Sequence, residues 1–378
     1  MNAKITIQEL RTRSELKDFV TFAIDLYKGN PYYVPPIIES EIDTLDPAVN
    51  PIFKDAEARY FVALQGGKIV GRIAALINHI EISQLGKKRM RFGWFDAIDQ
   101  PEVSQALLDQ VITIGKEKKM DTVEGPMGFS NLDKAGLLIK GFEERSTMIT
   151  WYNAPYYAQH LEQLGFKKQA EWVEFEIEIK GFEESPEKVK RFSELILDRY
   201  ALKLLKFDNN KAILPYVDQM FELLGKTYDR LQTFVPIQDY QIAHYKDQFI
   251  RFVNPEFIKC VANAQGELIA FAITMPSFSQ ALQKAKGHLY PFGIFHLLWA
   301  RKYSKRASFY LIGIRPDYQN KGVTAIIFNE VQKTFNKYGI KKVETNPELE
   351  ENQAIQKLWK NYNHREHKRR ATFYKPLG

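Results

Sequence analysis

Ile314-Arg315-Pro316-Asp317-Tyr318-Gln319-Asn320-Lys321-Gly322-Val323-Thr324 joins a β-type run, Ser308 to Ile314, to a stretch in which Val323, Ile327, Val331 and Phe335 recur every four residues. The run reads as a strand and the stretch as an amphipathic helix. Glycine at the junction lets the backbone approach a phosphate closely. The N–H groups that open the following helix lack acceptors of their own, so each is free to donate to phosphate oxygen. The segment therefore reads as an anion cradle. A short strand, Lys342-Val343-Glu344-Thr345, follows and ends at Asn346-Pro347. Strand, helix and strand with this crossover length form a right-handed parallel unit.

Upstream, Phe257 to Ala262 and Leu268 to Ile273 flank Asn263-Ala264-Gln265-Gly266-Glu267, two β-rich runs about a glycine turn and hence a hairpin. The first half of the chain repeats this plan in pattern, not in identity. Arg59 to Leu64 and Ile69 to Leu76 form a hairpin about Gln65-Gly66-Gly67-Lys68, and Met90 to Ile98 is the next strand. Ala106, Leu107, Leu108, Val111, Ile112 and Ile114 stripe a helix, and Thr122-Val123-Glu124-Gly125 ends at Pro126. Each half closes with a short helix, Tyr156 to Leu164 and Asn352 to Tyr362, then with β-rich sequence, Trp172 to Ile179 and Ala371 to Tyr374. Two α/β domains are expected, residues 1–182 and 183–378, divided where Gly181-Phe182-Glu183-Glu184-Ser185-Pro186 breaks the strand pattern. Insertions at Gly128 to Asn153 and Pro276 to Arg306 are of a size that often lines binding sites.

The 378 residues are 45% apolar and 26% charged, as in a globular protein and unlike a disordered or fibrous one. A single cysteine, Cys260, excludes an internal disulfide, and Met1 to Ile7 lacks the apolar run of a signal peptide. No stretch reaches the roughly 18 consecutive apolar residues of a membrane span. A cytoplasmic location without a membrane span is expected. The net charge of +7 is uneven: residues 1–180 hold 22 basic and 26 acidic side chains, the remainder 31 and 20. The second half carries the positive field, which suits a phosphorylated ligand or a nucleic acid. Leu289 to Trp299 reads as a buried helix, with a membrane or acyl-chain contact as the alternative. His364-Arg365-Glu366-His367-Lys368-Arg369-Arg370 reads as a basic edge near a cofactor or as simple solvated surface, since two histidines without a third clustered ligand make no metal site.

The loop from Gln319 to Thr324 resembles the coenzyme A motif of the GNAT superfamily of acyl-CoA-dependent N-acyltransferases, Gln/Arg-x-x-Gly-x-Gly/Ala. The resemblance implies that main-chain amides of Gln319, Asn320, Lys321, Gly322, Val323 and Thr324 bind the pyrophosphate, with Ile312, Ile314 and Asn352 also on the cofactor. Thr324 departs from the small residue usual there, and its side chain either crowds the cradle or adds a donor. Trp359 stands where the family often has the tyrosine that returns a proton to the thiolate, leaving Tyr362, one turn on, as a substitute. The first half resembles the same fold without the cradle, because Gln100-Pro101-Glu102-Val103 has no glycine. Gly125 to Ser130, Tyr152 to Tyr157, Asn30 to Pro36 and Leu289 to Gly293 are similar to a group of bacterial tandem-GNAT proteins, many of them uncharacterised. What the resemblance implies is two tandem domains, each a mixed, mostly antiparallel sheet with a central parallel strand pair.

An acyltransferase of this kind uses acetyl-CoA or another acyl-CoA and an amine acceptor, either a small molecule or a peptide. Its chemistry is attack of the amine on the thioester carbonyl, helped by positioning and by amide donors. Glu344 is the expected base, with Tyr310 behind it. For Glu344 the alternative is a surface carboxylate paired with Lys341 or Lys342, and Asn352 also suits a helix cap. Phe129, Trp151, Tyr152 and Tyr156 are the expected acceptor contacts, although aromatics near helix starts also serve as core. Two other classes remain open at this stage: a catalytically silent ligand-binding or scaffold protein of the same fold, favoured by Trp359, and a nucleic-acid binder, for which no motif speaks and which is not expected.

Overall fold

In the computed structural model the described residues are 4–130, 132–181, 187–228, 234–249, 253–352, 356 and 359–378. The first half supplies strands β1 (Ile5–Leu10), β2 (Ala56–Gln65), β3 (Lys68–Asn78), β4 (Arg89–Ala97), β5 (Thr122–Gly125), β6 (Leu137–Lys140) and β7 (Lys167–Glu178). The second supplies β8 (Lys203–Leu205), β9 (Ile258–Ala262), β10 (Leu268–Pro276), β11 (Arg306–Ile314), β12 (Lys342–Thr345), β13 (Glu348–Leu349) and β14 (His364–Pro376). Both hairpins form where the glycine turns place them, with Gln65 opposite Lys68 and Leu268 opposite Ala262. β4 pairs with β5 and β11 with β12 in parallel, and the other ladders are antiparallel.

The crossover helices sit on the sheet through their apolar stripes. Pro101–Glu117 buries Val103, Leu107, Leu108, Val111 and Ile114 against Ile73, Met90 and Val123. Val323–Tyr338 buries Ile326, Ile327, Val331 and Phe335 against Phe257, Ile269, Ala270 and Val343. Burying each such side chain is worth about 1.5–3 kcal/mol, so these stripes fix both parallel units.

One continuous sheet runs β1-β2-β3-β4-β5-β14-β7-β12-β11-β10-β9-β8. The halves thus exchange their last strands. β14 completes the first half by pairing Phe373 with Gly125, and β7 completes the second by pairing Ile177 with Val343. β7 and β14 pair with each other along their length. The sequence boundary at 182/183 falls among residues 182–186, outside the described residues.

This exchange changes the reading of the basic segment. It is not a solvated edge: Lys368 and Arg370 are wholly buried in the central seam. Arg370 Nε lies 2.6 Å from Glu174 Oε1, and Lys368 Nζ lies 3.1 Å from both Glu174 Oε2 and Glu344 Oε2. Burial pushes the Glu174 carboxyl up, but the Lys368 and Arg370 charges outweigh it and hold it at about 2. β14 begins at His364, earlier than the apolar pattern suggests, because its charged side chains find partners on β7.

Leu289 to Trp299 also departs from expectation. The helix Gly293–Tyr303 buries only Gly293 and Ala300, and its large apolar side chains face outward. Residues 353–355 and 357–358 lie outside the described residues, so the expected helix from Asn352 to Tyr362 is not described as a whole.

Candidate active site

β11 and β12 hold together from Arg306↔Lys342 to Phe309↔Thr345, and there the parallel ladder ends. β11 continues to Ile314 against β10 alone, with a bulge at Tyr310 opposite the Ile273/Thr274 step. The side of β11 that β12 has left opens into a cavity of about 350 Å³ between the two halves. Tyr310, Leu311 and Ile312 form one wall, and Thr345, Asn346, Glu348 and Asn352 form another. Val217, Met220 and Leu224, from the helix Leu214–Tyr228, close it from the second half. Met127, Leu132 and Trp172 close it from the first.

Glu348 is the acidic group of interest in this largely apolar space. Trp359 Nε1 donates to its carboxylate, and burial pushes the Glu348 carboxyl up to about 8 against that hydrogen bond. A carboxylate tuned to that range is poised to accept a proton near neutral pH. Trp359 itself is buried between Phe309 and Phe328. Tyr310 is held protonated far above the usual phenol range by burial, which makes it a donor and not a base. Asp133, also on the wall, has its carboxyl pushed up by burial and accepts from the backbone and hydroxyl of Ser130.

Three residues past Ile312, on the order of 10 Å along the chain at strand rise, β11 gives way to the predicted cradle. Pro316–Tyr318 makes a tight turn, and Asn320 and Gly322 both take positive φ, 62° and 81°. Gly322 is the N-cap of the helix Val323–Tyr338, and no side chain caps it. A Cβ at Gly322 would meet Ile196 at 3.2 Å in a backbone conformation that side chains rarely adopt. The amides of Gln319 and Lys321, expected on the pyrophosphate, are instead taken by the carbonyls of Arg315, Pro316 and Tyr318, so the anion nest narrows to the uncapped helix start from Gly322 to Thr324. The residues present therefore fit a diphosphate. Lys321 lies over the rings of Tyr318 and Tyr200, and Arg315 is paired with Asp317 and Glu267.

The equivalent places in the first half are closed. Pro101 takes the first helical position and removes a donor there. Where β4 and β5 part, Trp94 packs on Trp151 and Phe129 with ring centroids 5.4 and 5.9 Å apart.

Several expected site residues stand elsewhere. Glu344 is not on the cavity wall, and instead of Lys341 or Lys342 it pairs with Arg306 and Lys368. Burial raises its carboxyl, and those two charges outweigh burial and hold it below the usual range. Tyr362 packs on Phe328 behind Trp359, away from the cavity. Of the expected acceptor contacts, Phe129 lies in the core, Tyr152 packs on Tyr27 and Tyr33, and Tyr156 stacks on Tyr157. With Trp151 on Trp94, none of the four lines the cavity, because the first half spends its aromatics on closing its own cleft. Ile314 packs against the core of the second half, while Ile312 and Asn352 do line the cavity.

No family model matches the chain. Among solved structures, a tandem GNAT protein from the clavulanic acid biosynthesis pathway superposes over 99% of both chains with a TM-score of 0.56 and 12% identity. The chain has the tandem GNAT fold. A GCN5-related N-acetyltransferase from Sphaerobacter thermophilus shares that fold over 99% of this chain and 96% of its own, with a TM-score of 0.54 and 9% identity. Two curated proteins are similar in sequence. Protein YghO of Escherichia coli is 27% identical over 85% of this chain and 81% of its own length. The bacterial ceramide synthase of Caulobacter vibrioides is 24% identical over 84% and 82%. Within the tandem GNAT fold, the cavity opens between the halves where the second half's parallel strands part, and the loop from Gln319 to Thr324 follows the same strand, β11.

Proposed function

We propose that the protein is an acyl-CoA-dependent N-acyltransferase whose acceptor is an amine with a long apolar body. The observation that carries this reading is the cavity: its volume and its Val217, Met220, Leu224 and Met275 walls far exceed what an acetyl group and a small polar amine need. The cradle from Gln319 to Thr324 supports coenzyme A as the carrier. The similar ceramide synthase supports the acceptor class, since a ceramide is the fatty acyl amide of a long-chain amino alcohol.

A bound thioester would supply an activated acyl carbonyl. Glu348 takes the proton of the acceptor's ammonium and frees the nitrogen lone pair for attack. Trp359 holds that carboxylate toward the cavity and favours its ionised form. Main-chain N–H groups of β11 at the bulge polarise the carbonyl. As the C–N bond forms and the C–S bond breaks, Tyr310 on the same wall gives its hydroxyl proton to the departing thiolate, and the second proton of the attacking nitrogen replaces it. The apolar walls exclude water that would hydrolyse the thioester.

The test measures thiol release from palmitoyl-CoA with sphinganine as acceptor, and from acetyl-CoA with small amines. Release with the long pair and formation of the N-acyl product by mass spectrometry are expected. Absence of product across acyl-CoAs of all lengths would overturn the reading.

A further inference from the structure

The helix Gly293–Tyr303 is apolar yet unburied. Tyr290, Phe292, Phe295, Leu298, Trp299 and Tyr303 are 47–73% exposed, whereas apolar side chains on a helix of this kind ordinarily pack inward. At 100° per residue, positions 292, 295, 298, 299 and 303 fall on one arc, across the helix from the buried Gly293 and Ala300. The arrangement is built in. A Cβ on Gly293 would come within 2.0 Å of the His288 carbonyl oxygen in the connecting loop and 3.1 Å of the Ala285 Cβ, so close seating on that loop and on the end of the preceding helix, Ser279–Ala285, fixes which face looks out. Ser279 and Gln283 tie that support to the first half through the carbonyls of Ser146, Pro31 and Tyr33.

Charge along this segment of the chain has one sign. From Leu268 to Pro316 the sequence holds no acidic residue and seven basic ones. Arg306 and Arg315 are engaged by carboxylates. Among the described residues, Lys284, Lys286, Arg301, Lys302 and Lys305 have no ion-pair partner. Lys302 lies over the Tyr303 ring within the apolar arc itself. No helix among the described residues is long and apolar enough to cross a membrane.

We propose that this face docks the protein on an anionic lipid bilayer, with the helix lying in the interface. Phe295, Leu298 and Trp299 enter the acyl boundary, Tyr290 and Tyr303 sit at headgroup level, and the free lysines and Arg301 meet lipid phosphates. Aromatic side chains supply insertion and the cations supply selection for negative charge. The inference stands apart from acyl transfer, since it needs neither thioester nor amine.

The experiment uses the full chain and extruded vesicles of phosphatidylcholine, with and without about a third phosphatidylglycerol. Sedimentation with the anionic vesicles, at least tenfold weaker binding to the neutral ones and loss of binding in high salt are expected. Bromine-labelled acyl chains should quench tryptophan fluorescence, and Trp299→Phe should remove that quenching. Phe295→Ser/Trp299→Ser should bind at least tenfold more weakly with an unchanged melting temperature, because both side chains are exposed in the folded protein. No sedimentation with anionic vesicles, equal binding by the double variant, or quenching retained in Trp299→Phe overturns the proposal. So does a dimer in sedimentation velocity that the double variant converts to monomer, which assigns the face to a second copy of this chain. Thiol release measured on the same preparations keeps this outcome separate from that of the proposed activity.

Discussion

Trp359 donates its indole N–H to both carboxylate oxygens of Glu348, at 2.9 and 3.2 Å, inside a cavity whose other walls are mostly apolar. The pair answers the problem that Trp359 raises in the sequence. An indole is a poor acid for a thiolate, but it is a good donor for fixing a carboxylate. If Glu348 is the base, kcat/KM rises with pH and levels off above about 8. Glu348→Gln should lose at least a hundredfold in kcat and lose that limb. Trp359→Phe removes a bond that favours the charged form, so the limb should move to higher pH, an effect that a merely structural tryptophan would not have. A pH–rate series on the three proteins checks this.

Glu348 also has a stability signature. Its folded-state value of about 8 lies above the ordinary 4.5. Between those values the folded protein holds a proton that the unfolded chain has released, so stability falls as pH rises through this window. Glu348→Gln should flatten that fall. Chemical denaturation of parent and variant at pH 5 and pH 8.5 measures it. Equal slopes would remove the raised carboxyl from the account.

The seam between the exchanged strands carries the opposite dependence. Glu174 is held near 2 while its ordinary value is 4.5, so its contribution is present above about 4.5 and is lost as pH falls toward 2. Glu174→Ala leaves Lys368 and Arg370 buried beside no shared partner, and about 3–5 kcal/mol of destabilisation is expected. Since the seam joins both halves, urea unfolding of the parent should be one transition and not two.

At the cradle, charge can be separated from strain. Gly322→Asn and Gly322→Asp both put a Cβ at positive φ against Ile196, and asparagine and aspartate tolerate that backbone about equally. Both should melt lower. Only the aspartate sets a carboxylate against a diphosphate, so coenzyme A affinity should be at least tenfold weaker in Gly322→Asp than in Gly322→Asn by calorimetry. Equal affinities would detach the loop from the cofactor.

Much of this architecture was legible in the sequence because it rests on local patterns: glycine turns at Gly66-Gly67 and Gly266, and four-residue stripes at Val323 to Phe335. The exchange of β7 and β14 was not, since it depends on which distant strand accepts Lys368 and Arg370, and charged residues carry no strand signal of their own. The sharp turn between β11 and the helix Val323–Tyr338, with Gly322 at positive φ, was readable for the same local reason as the other glycine turns. Glu348 was not, because nothing in Pro347-Glu348-Leu349-Glu350-Glu351 separates the one buried carboxylate from its solvated neighbours until Trp359 folds over it. Glu344 looked better placed on β12, but alternation along that short strand turns it toward Arg306 and Lys368.

The cavity sets the last prediction. Each methylene moved from water into it is worth about 0.8 kcal/mol, a roughly fourfold gain in affinity per carbon until the space is full. Selectivity for acyl chains or acceptor tails should therefore climb steeply with length and then break. Val217 is buried on the wall, on a helix whose own packing is supplied by Leu223 and its neighbours. Val217→Trp fills the space from that side, so the break should move to shorter chains while kcat/KM for the shortest substrates stays within a few-fold of the parent. A length profile from two to sixteen carbons, roughly one point per two methylenes, reads this directly. A flat profile in the parent, or a break that does not move in the variant, would place the long chain outside this cavity.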